Sequence, residues 1–453
     1  MQTQALVDEA EQSRPLSPRG ARQPLTLRAN FAWTFAGNVI YSGCQWGMLV
    51  VLARLGDTEM VGRFALGLAI TAPVFMFSNL QLRGVQATDA RHEFRFGDYL
   101  GARLLMSALA LLGIGGLVVL CGYGWEVGAV ILAVAAAKAC ETISDIVSGL
   151  LQQHECMDRA AVSMVLRGAL GLLFLSTALG FTHRLLWGVL GLFAAWSVVL
   201  AVYDCRSVLL VGGTRGDRWQ TMCPRWRPAT LGRLLWLTLP LGIVTCLISL
   251  NTNIPRYYVE HYLGLRTLGV FSALGYLMLA GHTVISALAQ SASPRLAAYY
   301  ASGRLSAYRR FLAKLLGMGA LLGVVGVLAA VLAGPLLLRL IYGPDYASPQ
   351  AVALFVLLMI AAGLSYLSSF LDYAATAARY FRIQTPVFLG SSLVSVAASA
   401  LLVPTAGLRG AGWAAVIAMA WQVLLLGTIV GVIAFRRDSE RVLPSNGDTE
   451  PRE

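Results

Sequence analysis

The stretch Leu52 to Arg103, LARLGDTEMVGRFALGLAITAPVFMFSNLQLRGVQATDARHEFRFGDYLGAR, decides the fold, because a degenerate copy of it recurs between Tyr262 and Lys314. In the first copy a Leu55-Gly56 turn leads through Gly62 and Phe64 into an apolar helix ending at Arg83, and a polar arm then closes on Phe96, Asp98 and Tyr99. In the second, Leu263-Gly264 leads through Gly269 and Phe271 into an apolar helix ending at Pro294-Arg295, and the arm closes on Tyr308 and Arg309. An internal repeat of this length implies two structurally equivalent halves.

The chain around the repeat is built for a bilayer. Of its 453 residues 57% are hydrophobic and 13% charged, with mean hydropathy +0.67, whereas a soluble domain is about a quarter charged. Nothing between Arg28 and Arg436 reads as a separate soluble domain, which excludes a soluble catalytic domain. At about 20 apolar residues per crossing, twelve spans emerge: 29–53, 64–83, 103–122, 127–151, 160–181, 185–205, 231–254, 267–291, 314–338, 351–372, 384–403 and 410–434. The polar stretch Gly212 to Thr230 divides them six and six. The expected fold is therefore all-α and polytopic: six-helix bundles over 28–211 and 231–434, a linker over 212–230, a disordered tail over 1–27 and a second tail over 435–453. The first apolar run, about 25 residues, is too long for a signal-peptide core, so span one reads as an uncleaved anchor.

Positively charged loops stay on the cytoplasmic side. With the N-terminus inside, 27 of the 35 Lys and Arg fall on cytoplasmic segments and nearby helix ends. The opposite side holds 7: Arg54, Arg63, Arg184, Arg256, Arg266, Arg339 and Arg409. This predicts a multi-pass protein of the cytoplasmic (inner) membrane with both termini and the linker cytoplasmic. The net charge of +12 then reports topology, since the basic residues are scattered over short segments with no nucleic-acid-binding face. The seven cysteines form no CxxC pair and no zinc spacing with histidine, so they read as packing residues, and neither metal nor cofactor is expected. Six spans per half relate the halves by an axis along the membrane normal, with substrate bound between them near midplane.

On these residues the chain resembles the polysaccharide-transporter, Wzx-like branch of the multidrug/oligosaccharidyl-lipid/polysaccharide flippase superfamily, over roughly residues 28–434. The resemblance rests on Leu52-Ala53-Arg54-Leu55-Gly56 with Gly62-Arg63-Phe64-Ala65, on Phe96, Asp98 and Tyr99, and on Asn253, Arg256, Tyr257 and Gly269-Val270-Phe271-Ser272-Ala273. It implies a V-shaped twelve-helix transporter that moves a lipid-pyrophosphate-linked oligosaccharide from the inner to the outer leaflet by alternating access. Its partners would be that lipid, membrane lipids, a coupling cation or proton, and the polysaccharide polymerase and glycosyltransferases of the same route. Span one carries Asn30, Asn38 and Gln45 but no charge, unlike relatives with an ionisable residue there, so their ion coupling does not transfer directly.

Charged residues inside spans mark sites or pairs. Lys138, Glu141 and Asp145 fall at i, i+3 and i+7 on one face of span four, and each costs roughly 2.5–3.5 kcal/mol at depth. They read either as a cavity wall or ion-coupling site, or as a self-neutralised cluster pairing Lys138 with Glu141 and Asp145 with Arg167. A pyrophosphate calls for Arg or Lys, and Arg can hold it through two parallel hydrogen bonds. Arg54 and Arg256 at one end of spans one and seven, Arg83 and Arg295 at the other end of spans two and eight, and Asn253 are the candidates; the competing role for each arginine is interfacial anchoring. His282 in span eight and Asp372 in span ten are candidate gating or coupling groups, against a neutral interhelical histidine and an Asp372–Arg379 pair. Pro73 and Pro240 interrupt spans two and seven as hinges or packing kinks. Gly319-x-x-x-Gly323 in span nine reads as intramolecular helix packing.

The alternatives are a drug or small-solute antiporter of the same superfamily, a facilitator of the major facilitator fold, and a membrane glycosyltransferase or polymerase. The loop after span two lacks a GxxxDRxGR-like motif, which disfavours the second. Short outer loops without an acidic cluster beyond Asp57 and Glu59 disfavour the enzyme.

Overall fold

The computed structural model describes residues 27–89, 93–211, 222–378, 380 and 384–441. Most of the expected tails and linker, with Arg379 and Arg382, lie outside them. Among the described residues there is no strand, and ten helical stretches are long and apolar enough to cross a membrane. Two of them are too long for one crossing: at 1.5 Å per residue, Pro228–Ala301 would reach about 110 Å and the helix from Gln384 about 85 Å. Each turns back at a glycine with left-handed φ, Gly264 (φ 80°) and Gly407 (φ 59°). Twelve crossings result, as the hydropathy predicts.

Helix ends differ from the apolar windows in a systematic way, because polar turns extend the helices into the interfaces. Span two starts at Thr58, capped by the Asp57 carboxylate, and ends at Asn79. A short helix, Leu82–Thr88, follows. Span three starts at Phe96, span nine at Leu305, and the last helix continues to Arg441, past the expected start of the tail. Of the expected linker 222–230 is described: the next helix already starts at Pro228, and 222–227 are seated on span three, where a side chain at Gly97 or Gly101 would strike Cys223 and Arg225 and the Arg225 amide donates to the Gly97 carbonyl at 2.9 Å.

The end from which Leu27 starts is called the near end and the opposite end the far end. In the N-terminal half span one packs on span five, and span four on spans two and six. In the C-terminal half spans nine and ten and the last hairpin pack together. Gly323 meets Gly363 of span ten and Gly319 meets Phe370, so the glycine pair of span nine packs within the molecule.

Span two runs antiparallel to span seven and joins the halves. Near the near end Gly242 sits against the Phe77 carbonyl and Leu80, and Thr245 donates to the Met76 carbonyl at 2.9 Å. Further along, the Tyr257 hydroxyl donates to the Ala69 carbonyl. Pro73, four residues on, has no N–H to give that carbonyl, so its kink creates the acceptor that the other half fills. At the far end Gly62 and Gly269 touch backbone to backbone. The pseudo-symmetric seam, span one against span eight, is different. Span one touches the Pro228–Ala301 helix over a short stretch only, and its near-end half, with Phe31, Trp33, Phe35 and Val39, is exposed around most of its circumference.

Candidate substrate cleft

Two charged groups stand on the span-four wall of the N-terminal half. In the deeper one Lys138 pairs with Glu141 at 2.7 Å and sits 5.6 Å from the Trp196 ring centroid. Glu141 also accepts from the Tyr41 hydroxyl of span one, and Arg167 lies 5.8 Å from the Tyr41 ring, its Nη1 3.5 Å from the Glu141 carbonyl. In the second, nearer the near end, Asp145 accepts from Arg83 at 3.0 Å and faces Arg103 at 3.8 Å. The expected Asp145–Arg167 pair is therefore corrected. The seven-residue step from Lys138 to Asp145 advances two turns, about 10 Å, which carries Asp145 past Arg167 to the ends of spans two and three. Lys138 and Glu141 do neutralise each other, as one of the two readings required.

Arg103 is 1% exposed and donates to the Asn79 side chain. It sets two cations around one carboxylate, and a buried cation without such compensation would cost several kcal/mol. Beside this group Met76, Asn79, Gln81, Arg83, Gly84, Asp145, Gln152 and Thr245 line a cavity of about 390 Å³. Thr245 belongs to span seven, so the cavity spans both halves.

Arg256 lies on the opposite wall. Its Nη1 donates to Asn253 Oδ1 at 2.7 Å and its guanidinium stacks 5.9 Å from the Tyr276 ring centroid, with Nε buried and unpartnered. Asn253 is itself held by a 2.8 Å bond to the Ser249 carbonyl. Tyr276 shares a narrow crevice with Lys138, Gln45 and Trp196, so the fold brings Arg256 and Lys138 to two sides of one seam. The remaining expected residues stay apart. Arg54 caps the last turn of span nine, donating to the carbonyls of Ile341 at 3.0 Å, Arg339 at 3.3 Å and Leu340. Arg295 is exposed and lies over Tyr299 and Phe311. His282 is exposed, 3.1 Å from the Ser286 hydroxyl. Asp372 is half-buried near the end of span ten; Arg379, its expected partner, is outside the described residues.

The family model described as polysaccharide biosynthesis protein matches residues 27–300, more than half of the chain. This chain belongs to the polysaccharide biosynthesis protein family. It is 27% identical over 391 residues to the capsular polysaccharide biosynthesis protein CapF of Staphylococcus aureus, covering 84% of this chain and 93% of CapF. Its fold is that of multidrug resistance MATE transporters of the MOP superfamily. The inward-facing form of one superposes with TM-score 0.64 at 15% identity over 92% of this chain and 97% of that one. The outward-facing form gives 0.59 at 13% over 90% and 95%, and a MOP superfamily transporter from Pyrococcus furiosus gives 0.57 at 16% over 89% and 95%. The fold is one known from transporters.

This family member carries functional groups that its sequence does not announce. Tyr41, Trp196 and Tyr276 look like ordinary bilayer aromatics until the fold turns them onto charges. Arg103 looks like an interfacial arginine, because hydropathy starts span three there; the helix starts at Phe96 and buries it. Asp98, which closes a capping box with the Arg95 backbone at that helix start, is the available signal.

Proposed function

We propose that this polysaccharide-biosynthesis transporter is a flippase. It takes a lipid-pyrophosphate-linked oligosaccharide from the inner leaflet of the cytoplasmic membrane and releases it in the outer leaflet by alternating access. The observation that supports this most is the unequal pair of seams between the halves. Spans two and seven stay in contact from Met76–Thr245 to Ala69–Tyr257 and the glycines of spans two and eight close the far end, while span one, exposed over its near-end half, touches the Pro228–Ala301 helix over a short stretch only. A substrate whose lipid tail stays in the bilayer must slide its head between the helices from the side, and such a seam is the shape it needs. The charge count assigns the near end to the cytoplasm.

In this reading Arg256, oriented by Asn253, and Lys138 hold the pyrophosphate near midplane, where a ligand with at least two negative charges meets little competing water. Arg295 attracts it at the near-end mouth, where Arg83 is already engaged by Asp145 and Gln152, and Arg54 belongs to the far-end gate. Glu141, Asp145, Arg167, Asp372 and His282 form the set from which coupling to a cation or proton is drawn. The test is reconstitution: proteoliposomes bearing the chain should expose a pyrophosphate-linked glycolipid to an external glycosidase or lectin faster than empty vesicles. Export of a cationic dye with no glycolipid movement would favour a drug antiporter.

A further inference from the structure

The 390 Å³ cavity at the near end lies at the lower end of the roughly 300–1,000 Å³ of small-molecule sites. Its lining chemistry is specific. Asp145 supplies a carboxylate, Asn79, Gln81 and Gln152 supply amides, and Thr245 supplies a hydroxyl from the opposite half. Among the described residues Arg83 is the one cation that lines it, and that guanidinium is engaged by Asp145 at 3.0 Å and by Gln152 at 3.3 Å. Arg103 adds charge from behind the wall but is enclosed. A phosphate entering here would meet a committed arginine and an opposing carboxylate. A hydroxyl group, both donor and acceptor, meets amides and a carboxylate that satisfy both of its roles.

The backbone is shaped to present one of these amides. Leu80 and Gln81, neither of them glycine, both adopt left-handed φ, 49° and 52°. Such residues persist where surrounding structure over-determines them, and they cluster at ligand clamps. Leu80 is buried in the core, which anchors the turn, while Gln81 is exposed at the cavity. Gln152 comes from the last turn of span four, and the Arg103–Asn79 and Arg83–Asp145 bonds fix the orientation of two further polar groups.

We infer that this cavity is a saccharide subsite: it binds the hydroxyls of one or two sugar residues of the transported glycan through Gln81, Asp145, Gln152 and Asn79. The inference rests on the flippase reading and adds a division of labour, with the anionic linkage on the Arg256 side and the sugar at the near end. A site that hydrogen-bonds particular hydroxyls rejects analogues lacking them far more strongly than an apolar pocket does. Glycan selectivity is therefore assigned to these residues.

The test uses the full chain in nanodiscs and saturation-transfer NMR with free glucose, galactose, mannose, N-acetylglucosamine and glucuronate, and with inorganic pyrophosphate as competitor. At least one sugar should receive saturation at millimolar concentration, pyrophosphate should not displace it, and the signal should fall at least five-fold in Gln152→Ala. Gln152 is exposed on a helix, so that variant should fold; Gln81→Asn, which keeps an amide tolerant of left-handed φ but shortens its reach, should lower the signal as well. No sugar binding by the wild-type chain, displacement by pyrophosphate, or full binding in both variants overturns the subsite. Flipping by a wild-type chain that binds no sugar sinks the subsite alone; sugar binding that Gln152→Ala abolishes, in a chain that does not flip, sinks the transport reading alone.

Discussion

Gly62 and Gly269 meet backbone to backbone at the far end of the cleft, and they are the same position of the two repeats. A methyl group on Gly62 would overlap the carbonyl of Leu265, and one on Gly269 would overlap that of Thr58; each partner lies four residues before the opposite glycine. The contact therefore obeys the pseudo-two-fold. It places bare backbone where the halves meet, because any Cβ would hold them apart.

Gly62→Ala and Gly269→Ala should accordingly weaken far-end closure without disturbing either bundle, since the overlapped atoms belong to the opposite half. Spin labels on the two halves at the far end, read by double electron–electron resonance, should show a longer-distance population in both variants. An unchanged distance distribution would show that the glycines are not the gate.

Arg54 secures the same end by capping the carbonyls of Arg339, Leu340 and Ile341. Because the group is exposed, its loss should cost less than about 1 kcal/mol of stability. Arg54→Ala should leave melting nearly unmoved but shift the spin-label distances in the direction of the glycine variants. A large drop in melting temperature would make it a structural cap instead.

Asp145→Asn should weaken folding, because it leaves Arg83 and the enclosed Arg103 without their carboxylate; losing one partner of a buried charge group costs roughly 3–5 kcal/mol, and Asp145, being one-third exposed, should give the lower part of that range. Membrane abundance and melting temperature in detergent should both fall, and Asp145→Glu should recover part of each. Normal abundance with abolished transport would make Asp145 a coupling group.

Arg256→Ala should remove most glycolipid flipping at normal membrane abundance, and Arg256→Lys should remove part of it, since lysine keeps the charge but loses the fork and the stack on Tyr276. Flipping at the wild-type rate in Arg256→Ala would return the residue to the interfacial anchors.

For topology, single cysteines at positions 126 and 345 in a cysteine-free background should react with an impermeant maleimide from outside the cell, and one at 218 should not. Labelling at 218 from outside would invert the orientation.

Sequence alone determined the number of crossings and the doubling of the chain, because both depend on quantities that are local or periodic: apolar length against bilayer thickness, and recurrence of the Leu-Gly, Gly and Phe pattern. It also placed Gly264 between spans seven and eight, and Lys138 and Glu141 as neighbours one helical turn apart. It did not determine the partner of Asp145, because depth in the membrane says nothing about how a helix is rotated; Arg167 and Arg103 are comparable from hydropathy, and only packing turned Asp145 toward Arg83 and Arg103. The same holds for Tyr257 on the carbonyl opened by Pro73, and for Arg54 on the end of span nine. Those contacts join residues nearly 200 and nearly 300 positions apart, and no local property of a chain encodes which far segment will arrive to satisfy an exposed carbonyl.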